Sequence, residues 1–173
     1  VDVMMQITDA PPVQVRGMGV RLSNEIAADQ VNYGHLQVLF EDGSIGWYEA
    51  GWGPMISETA FSVKDVFGPK GSVSIVVGEG IASAAVDAHT STGRIRLHSA
   101  ATGPDGQLTT PDEFLSMADE PRHQDLCDRE QAFLLDAIQN DRDLAKHMDG
   151  AIRSLTVVLA AEQSMRENRS INL

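Results

Sequence analysis

The chain has 173 residues, with 13 Lys and Arg against 25 Asp and Glu, and its formal net charge of −12 argues against a nucleic-acid or anionic-membrane surface. Hydrophobic residues at 42% and charged residues at 22% are globular proportions, so disorder is not expected and no metal or disulfide staple is needed. The single cysteine, Cys127, forms no internal disulfide, no apolar run is long enough to span a bilayer, and a cytoplasmic location is the expectation.

Residues 1–7 read as the end of a helix already under way, stopped by Asp9, Pro11 and Pro12. Alternation then predicts strands over 13–18 and 35–40. Glu41-Asp42-Gly43-Ser44 follows as a hairpin turn, in which Asp-Gly supplies positive φ, and a third strand returns over 45–52. A fourth and a fifth strand are expected over 59–67 and 73–77, joined by the turn Gly68-Pro69-Lys70-Gly71, and a sixth over 94–98.

The pattern changes after residue 110. Thr110-Pro111-Asp112-Glu113 reads as a capping box with proline at the first helical position, predicting a short helix to about Ala118. A helix over 125–140 is expected to bury Leu126, Phe133, Leu134, Ala137 and Ile138. Another over 146–167 presents Met148, Ile152, Leu155, Val158, Leu159 and Met165 at spacings of three and four. Residues 170–173 read as a last short strand. Strands first and helices later predict an α+β class in a single domain over 1–173. It is a large open, mainly antiparallel sheet with helices on one face. The second strand has Leu36, Val38 and Phe40 on one side and His35 and Leu39 on the other, so the face away from the helices needs a cover: a partner subunit or a further domain.

Four stretches resemble one known family. Phe40-Glu41-Asp42-Gly43-Ser44-Ile45-Gly46 is similar to its F-x-[ND]-G-x-x-G hairpin, Trp52 ends the next strand as in the family, and Phe67-Gly68-Pro69-Lys70-Gly71-Ser72-Val73 is similar to its G-[ST]-x-G-x-[LV] turn. The ending from Leu159 to Leu173, through Ala160-Ala161, Ser164, Asn168-Arg169, Ile171 and Leu173, is similar to A-A-x-x-S-x-x-x-[GN]-[RK]-x-[VI]-x-L. In this order and spacing the stretches resemble the C-terminal domain of the glucose–fructose oxidoreductase / inositol dehydrogenase (Gfo/Idh/MocA) family; 78–119 is the least similar part.

The resemblance implies a substrate-binding and assembly domain of an enzyme that moves hydride between NAD or NADP and a carbinol of a sugar or polyol. It implies a Rossmann cofactor domain outside this chain. Asp2 fits the last position of the family's G-x-H-x-x-D helix motif, which places the proton-relaying histidine just upstream of Val1. No catalytic, cofactor or metal residue is then expected here, and this piece alone is expected to be inactive. Association into a homodimer or homotetramer through the open sheet face is also implied.

Residue chemistry supplies the rest. Trp52 and Glu58 stand in and beside a loop rich in apolar and hydroxyl groups, and aromatic faces with carboxylates are what hold sugars. Lys64 can meet a substrate carboxylate, and Arg122 and His123 lie in a polar loop that enters a helix. These five are the candidate substrate-binding residues. Gly78-Glu79-Gly80-Ile81-Ala82-Ser83 imitates a dinucleotide turn but lacks a long following helix and an acid after the next strand, and Gly17-Met18-Gly19 is weaker still. The five histidines show no i, i+4 pair, so no metal site is predicted. Arg94 and Arg96 share a strand face and are expected to form salt bridges; Glu162, Arg166 and Arg169 read as structural. Two other classes remain open: a stand-alone carbohydrate- or acid-binding module, and an oligomerisation scaffold without activity.

Overall fold

The computed structural model describes residues 1–55, 64–76 and 92–173. Its elements are α1 (Asp2–Thr8), β1 (Pro12–Val20), β2 (Tyr33–Phe40), β3 (Ile45–Gly51), β4 (Asp65–Gly68), β5 (Gly71–Val76), β6 (Arg94–Ser99), β7 (Glu113–Ser116), α2 (His123–Gln139), α3 (Ala145–Glu167) and β8 (Ile171–Asn172). They fall in two compact units, one formed by Val1–Ile56 with Asn140–Leu173 and the other by Ser57–Gln139.

In the first unit α1 ends where Asp9 takes the left-handed conformation (φ 55°) and its N–H reaches back to the carbonyl of Met5. The strands form an antiparallel sheet in the order β3-β2-β1-β8. Pairing Val15 with Val38 and with Ile171, and Gly17 with Leu36, sets these residues on one face. That face packs on Val157, Ala160 and Ala161 of α3 to make the core. The helix lies close because Gly17 has no side chain: a Cβ there would collide with the carbonyl oxygen of Ala161. Asn168 caps α3 in the left-handed conformation and accepts from Nη2 of Arg16 at 2.6 Å.

The close approach selects which stripe of α3 is buried. The large apolar residues expected to form its packing face, Met148, Ile152, Leu155, Val158 and Leu159, are all exposed. The buried stripe is instead Val157, Ala160, Ala161 and Ser164, nearly half a helical turn away from Met148, Ile152, Leu155 and Leu159. Small residues are needed where backbone approaches backbone, and the large ones are left on the opposite side. The outer face of the sheet is also apolar and open, with Met18, Leu39, Ile45 and Trp47 exposed and His35 stacked on Trp47 at 4.4 Å between ring centroids.

The second unit contains an antiparallel sheet in the order β4-β5-β6-β7. The predicted turn is present, with Gly68 paired to Gly71. The α+β expectation holds, with the strands among the described residues divided between two four-stranded sheets. The short helix expected after Thr110 is not formed; residues 113–116 are strand β7, with Phe114 opposite Arg96 and Leu115 opposite Ile95. The acid of that box, Glu113, is paired opposite Leu97 instead, Asp112 beside it lies 2.7 Å from His98 Nδ1, and the free edge of β6 offers the backbone a ladder that a one-turn helix cannot match. At the start of α2 the Arg122 N–H donates to Asp125 at 3.0 Å, and Leu126, Phe133, Leu134 and Ile138 along this helix stay exposed while Ala137 is buried.

Candidate functional site

In the first unit three chain segments meet on one side chain. Asn32 is only 1% exposed, so every polar atom it carries needs a partner. Its Oδ1 accepts from the Leu22 N–H at 2.8 Å, while Nδ2 donates to Ser23 Oγ at 3.0 Å and to the Trp52 carbonyl at 3.1 Å. The Trp52 N–H donates in turn to the Asn32 carbonyl at 2.9 Å. The backbone of Trp52 is thereby fixed just beyond β3, while its indole remains 56% exposed.

The indole borders a shallow recess of about 180 Å³, whose walls include Val31, Tyr33, His35, Tyr48, Trp52 and Met165. Its interior is apolar and its rim carries the Tyr48 phenol and the Trp52 indole. On the outer face of the sheet, with His35 and Trp47, the Tyr33 hydroxyl donates to Glu49 at 2.7 Å, and this bond to a carboxylate raises the phenol above its ordinary value of 10.0. The direction of α1 bears on the recess. Thr8 Oγ1 donates to Asp42 at 2.6 Å beside the β2–β3 turn, and Met4 lies against Gly46. The helix therefore runs antiparallel to β3, with its first turn toward the end of the strand that bears Tyr48.

Of the residues singled out from sequence, Trp52 lines the recess. Lys64, Arg122 and His123 belong to the other unit. Lys64 precedes β4, is exposed, and its carbonyl accepts from the Ile75 N–H at 3.0 Å. Arg122 and His123 stand side by side at the start of α2, where His123 Nε2 lies 3.6 Å from Cys127 Sγ. Glu58 and the glycine turn at 78–83 lie outside the described residues. Asn32 and Tyr48 were not anticipated. Tyr48, Ala50 and Trp52 alternate onto one side, a signal legible in the sequence; a lone asparagine before a strand carries none.

The Gly17-Met18-Gly19 pair sits in β1 and serves packing, because a Cβ on Gly19 would press on Met165 as one on Gly17 would on Ala161. Neither α2 nor α3 opens on a glycine-rich turn, so the described residues offer no cradle for a pyrophosphate. Among them no three His, Cys, Asp or Glu are grouped to hold a metal, and no helix is long and apolar enough to cross a membrane.

No family model and no curated protein matches the chain. Solved structures do. The aldose-aldose oxidoreductase from Caulobacter crescentus, in complex with glycerol, superposes with a TM-score of 0.67 at 21% identity over 99% of this chain and 44% of its own. An oxidoreductase from Agrobacterium radiobacter, in complex with NAD+, L-tartaric acid and magnesium, does so at 0.65 and 15% identity over 99% and 46%. This chain has the fold of the C-terminal half of Gfo/Idh/MocA-type oxidoreductases. The WlbA dehydrogenase from Bordetella pertussis, in complex with NADH and UDP-GlcNAcA, matches at a TM-score of 0.59 and 14% identity over 99% of this chain and 44% of its own. The chain spans less than half the length of each of these proteins.

Proposed function

We propose that this chain is the substrate-binding and assembly domain of an NAD(P)-dependent dehydrogenase acting on a sugar or polyol, with its two units forming one such domain. The observation that carries the reading is the aromatic recess at Trp52 and Tyr48, set toward the end of β3 to which the first turn of α1 points. The family motif puts the proton-relaying histidine one helical turn before Asp2, and continuing α1 upstream carries that turn in the direction of the recess. A sugar laid against Trp52 would present its C–H face to the indole and its hydroxyls to the polar rim.

The nicotinamide, when bound by the partner domain, supplies the hydride acceptor. The work of this chain is to hold and orient the carbinol and to keep water from one side of it. Glu58, Lys64, Arg122 and His123 keep the substrate-binding roles their chemistry suggests, with cations suited to an acidic substrate. The uncovered apolar stripe on α3 and the open sheet face with Trp47 support contact with a cofactor domain and with a second copy of the chain. A homodimer or homotetramer in the cytoplasm fits this design.

Titration of the isolated chain with NADH and NADPH, followed by nicotinamide fluorescence, tests the division of labour. No saturable binding is expected; micromolar affinity would place cofactor chemistry inside this chain and remove the reading.

A further inference from the structure

In the second unit, β6 turns three basic side chains to one face of the sheet: Arg94, Arg96 and His98. Register sets Arg96 between Ser74 of β5 and Phe114 of β7, and sets His98 beside Ser72. The Arg94 guanidinium lies over the Phe114 ring, 4.5 Å from its centroid. Arg94 thus lies over the side chain opposite Arg96 in the ladder, and the two cations share one face in a protein whose net charge is −12. Like charges brought together on a sheet face are destabilising unless something compensates them.

The compensation present is incomplete. Asp112 approaches Arg96 Nε at 3.8 Å, beyond hydrogen-bond distance, and its other oxygen is engaged by His98 Nδ1 at 2.7 Å. Arg96 Nη2 donates to Ser74 Oγ at 3.3 Å, but Arg96 Nε is buried with no hydrogen-bond partner. Arg94 forms no ion pair among the described residues; its recorded contact is the Phe114 ring. Asp65, the register partner of Ser74 on β4, is the other acid of this face, and it pairs with neither arginine. Glu120 is held at the entry to β6 by the Thr92 and Gly93 amides, at 2.7 and 3.2 Å.

We propose that this face is a binding site for a small carboxylate, seated over Phe114 between Arg94 and Arg96, and that Asp112 marks the chemistry the site accepts. A planar carboxylate takes two parallel N–H bonds from a guanidinium, and Arg94, exposed and without an ion pair among the described residues, offers them beside the second cation of Arg96. The proposal rests on the second unit alone and stands whether or not the dehydrogenase reading does.

Calorimetric titration of the whole chain tests it, with sodium gluconate as probe and sorbitol and inorganic phosphate as comparisons. Gluconate is expected to bind saturably where sorbitol gives no heat. Arg94→Gln and Arg96→Gln should each weaken it by about tenfold, the loss of one charge-assisted contact. Asp112→Asn should tighten it, because a competing carboxylate is removed. Arg94 is exposed, so its variant is expected to keep the parent's circular dichroism and melting curve. Gluconate and sorbitol behaving alike, affinity indifferent to both arginines, or phosphate binding where gluconate does not, would each overturn the assignment.

Discussion

The backbone N–H of Gly17 donates to the Ser164 hydroxyl at 2.9 Å, inside the contact between β1 and α3. The same hydroxyl donates to the Arg169 carbonyl at 2.6 Å, so one buried side chain ties the strand, the helix and the turn that leads to β8. Ser164→Ala leaves a buried amide and a carbonyl short of a partner, which costs about 1–3 kcal/mol. Gly17→Ala forces a methyl against the Ala161 carbonyl, and overpacking of this kind costs about 1–3 kcal/mol. For a chain of this size each kcal/mol lowers the melting temperature by roughly 2–4 °C. Thermal unfolding is expected to show both losses, while Gly43→Ala, at a turn with open space around it, should be penalised through its φ of 83° alone.

Asn32, itself in the wall of the recess, positions Trp52 through hydrogen bonds to its carbonyl and from its N–H. Asn32→Ala removes hydrogen bonds to Leu22, Ser23 and Trp52 at a fully buried position. In a Trp47→Phe background Trp52 is the sole tryptophan, since the chain has two. Its emission maximum should shift to the red and its quenching by acrylamide should rise in the Asn32 variant. An unchanged spectrum would mean that the segment is held by other contacts.

Asp42 gives a pH signature. The hydroxyls of Ser44 and Thr8 and the Ser44 N–H bond its carboxylate and lower it from 3.8 to about 2. A group depressed in the folded state stabilises the fold above its unfolded value and loses that contribution as pH falls through the folded value. The stabilisation is thus complete above about pH 4 and gone near pH 2. Denaturant unfolding of Asp42→Asn should therefore lack the part of the acid-side slope that the parent shows between these values, and Thr8→Val should flatten it partially.

The outer sheet face offers a test of assembly. Trp47 and Ile45 on β3 and Leu39 on β2 are neighbours there, and all are exposed. Trp47→Lys puts a charge at the centre of the patch, and sedimentation velocity should show the parent as an oligomer and the variant shifted toward monomer. A monomeric parent at high concentration would remove the face from the assembly.

The hairpins were legible because local chemistry decides them. Asp42-Gly43 needs no tertiary information to turn, and Gly68 to Gly71 brackets its turn in the same way. Residues 113–116 form a strand against the helix expectation because Thr110-Pro111-Asp112-Glu113 looks like a capping box in isolation, whereas a strand edge distant in sequence captures Glu113 and Phe114. The large stripe of α3 was taken for its packing face because periodicity reports amphipathicity, not which side meets a sheet. Gly17 and Ala161 decide that, and their proximity is a property of the fold. That Trp52 borders the recess follows from its place at a strand end, which the sequence shows, while the part of Asn32 is invisible there because it is made by partners 9 to 20 residues away.

The most direct test is steady-state kinetics of the full-length enzyme with Trp52→Ala and Tyr48→Phe across neutral sugars and polyols. Trp52→Ala should raise KM by about tenfold or more, as lost stacking area and excluded water predict, with the KM for NAD(P) unchanged. A Trp52 variant whose sugar KM equals the parent's, or whose loss falls on the nicotinamide instead, would contradict a substrate wall at this recess.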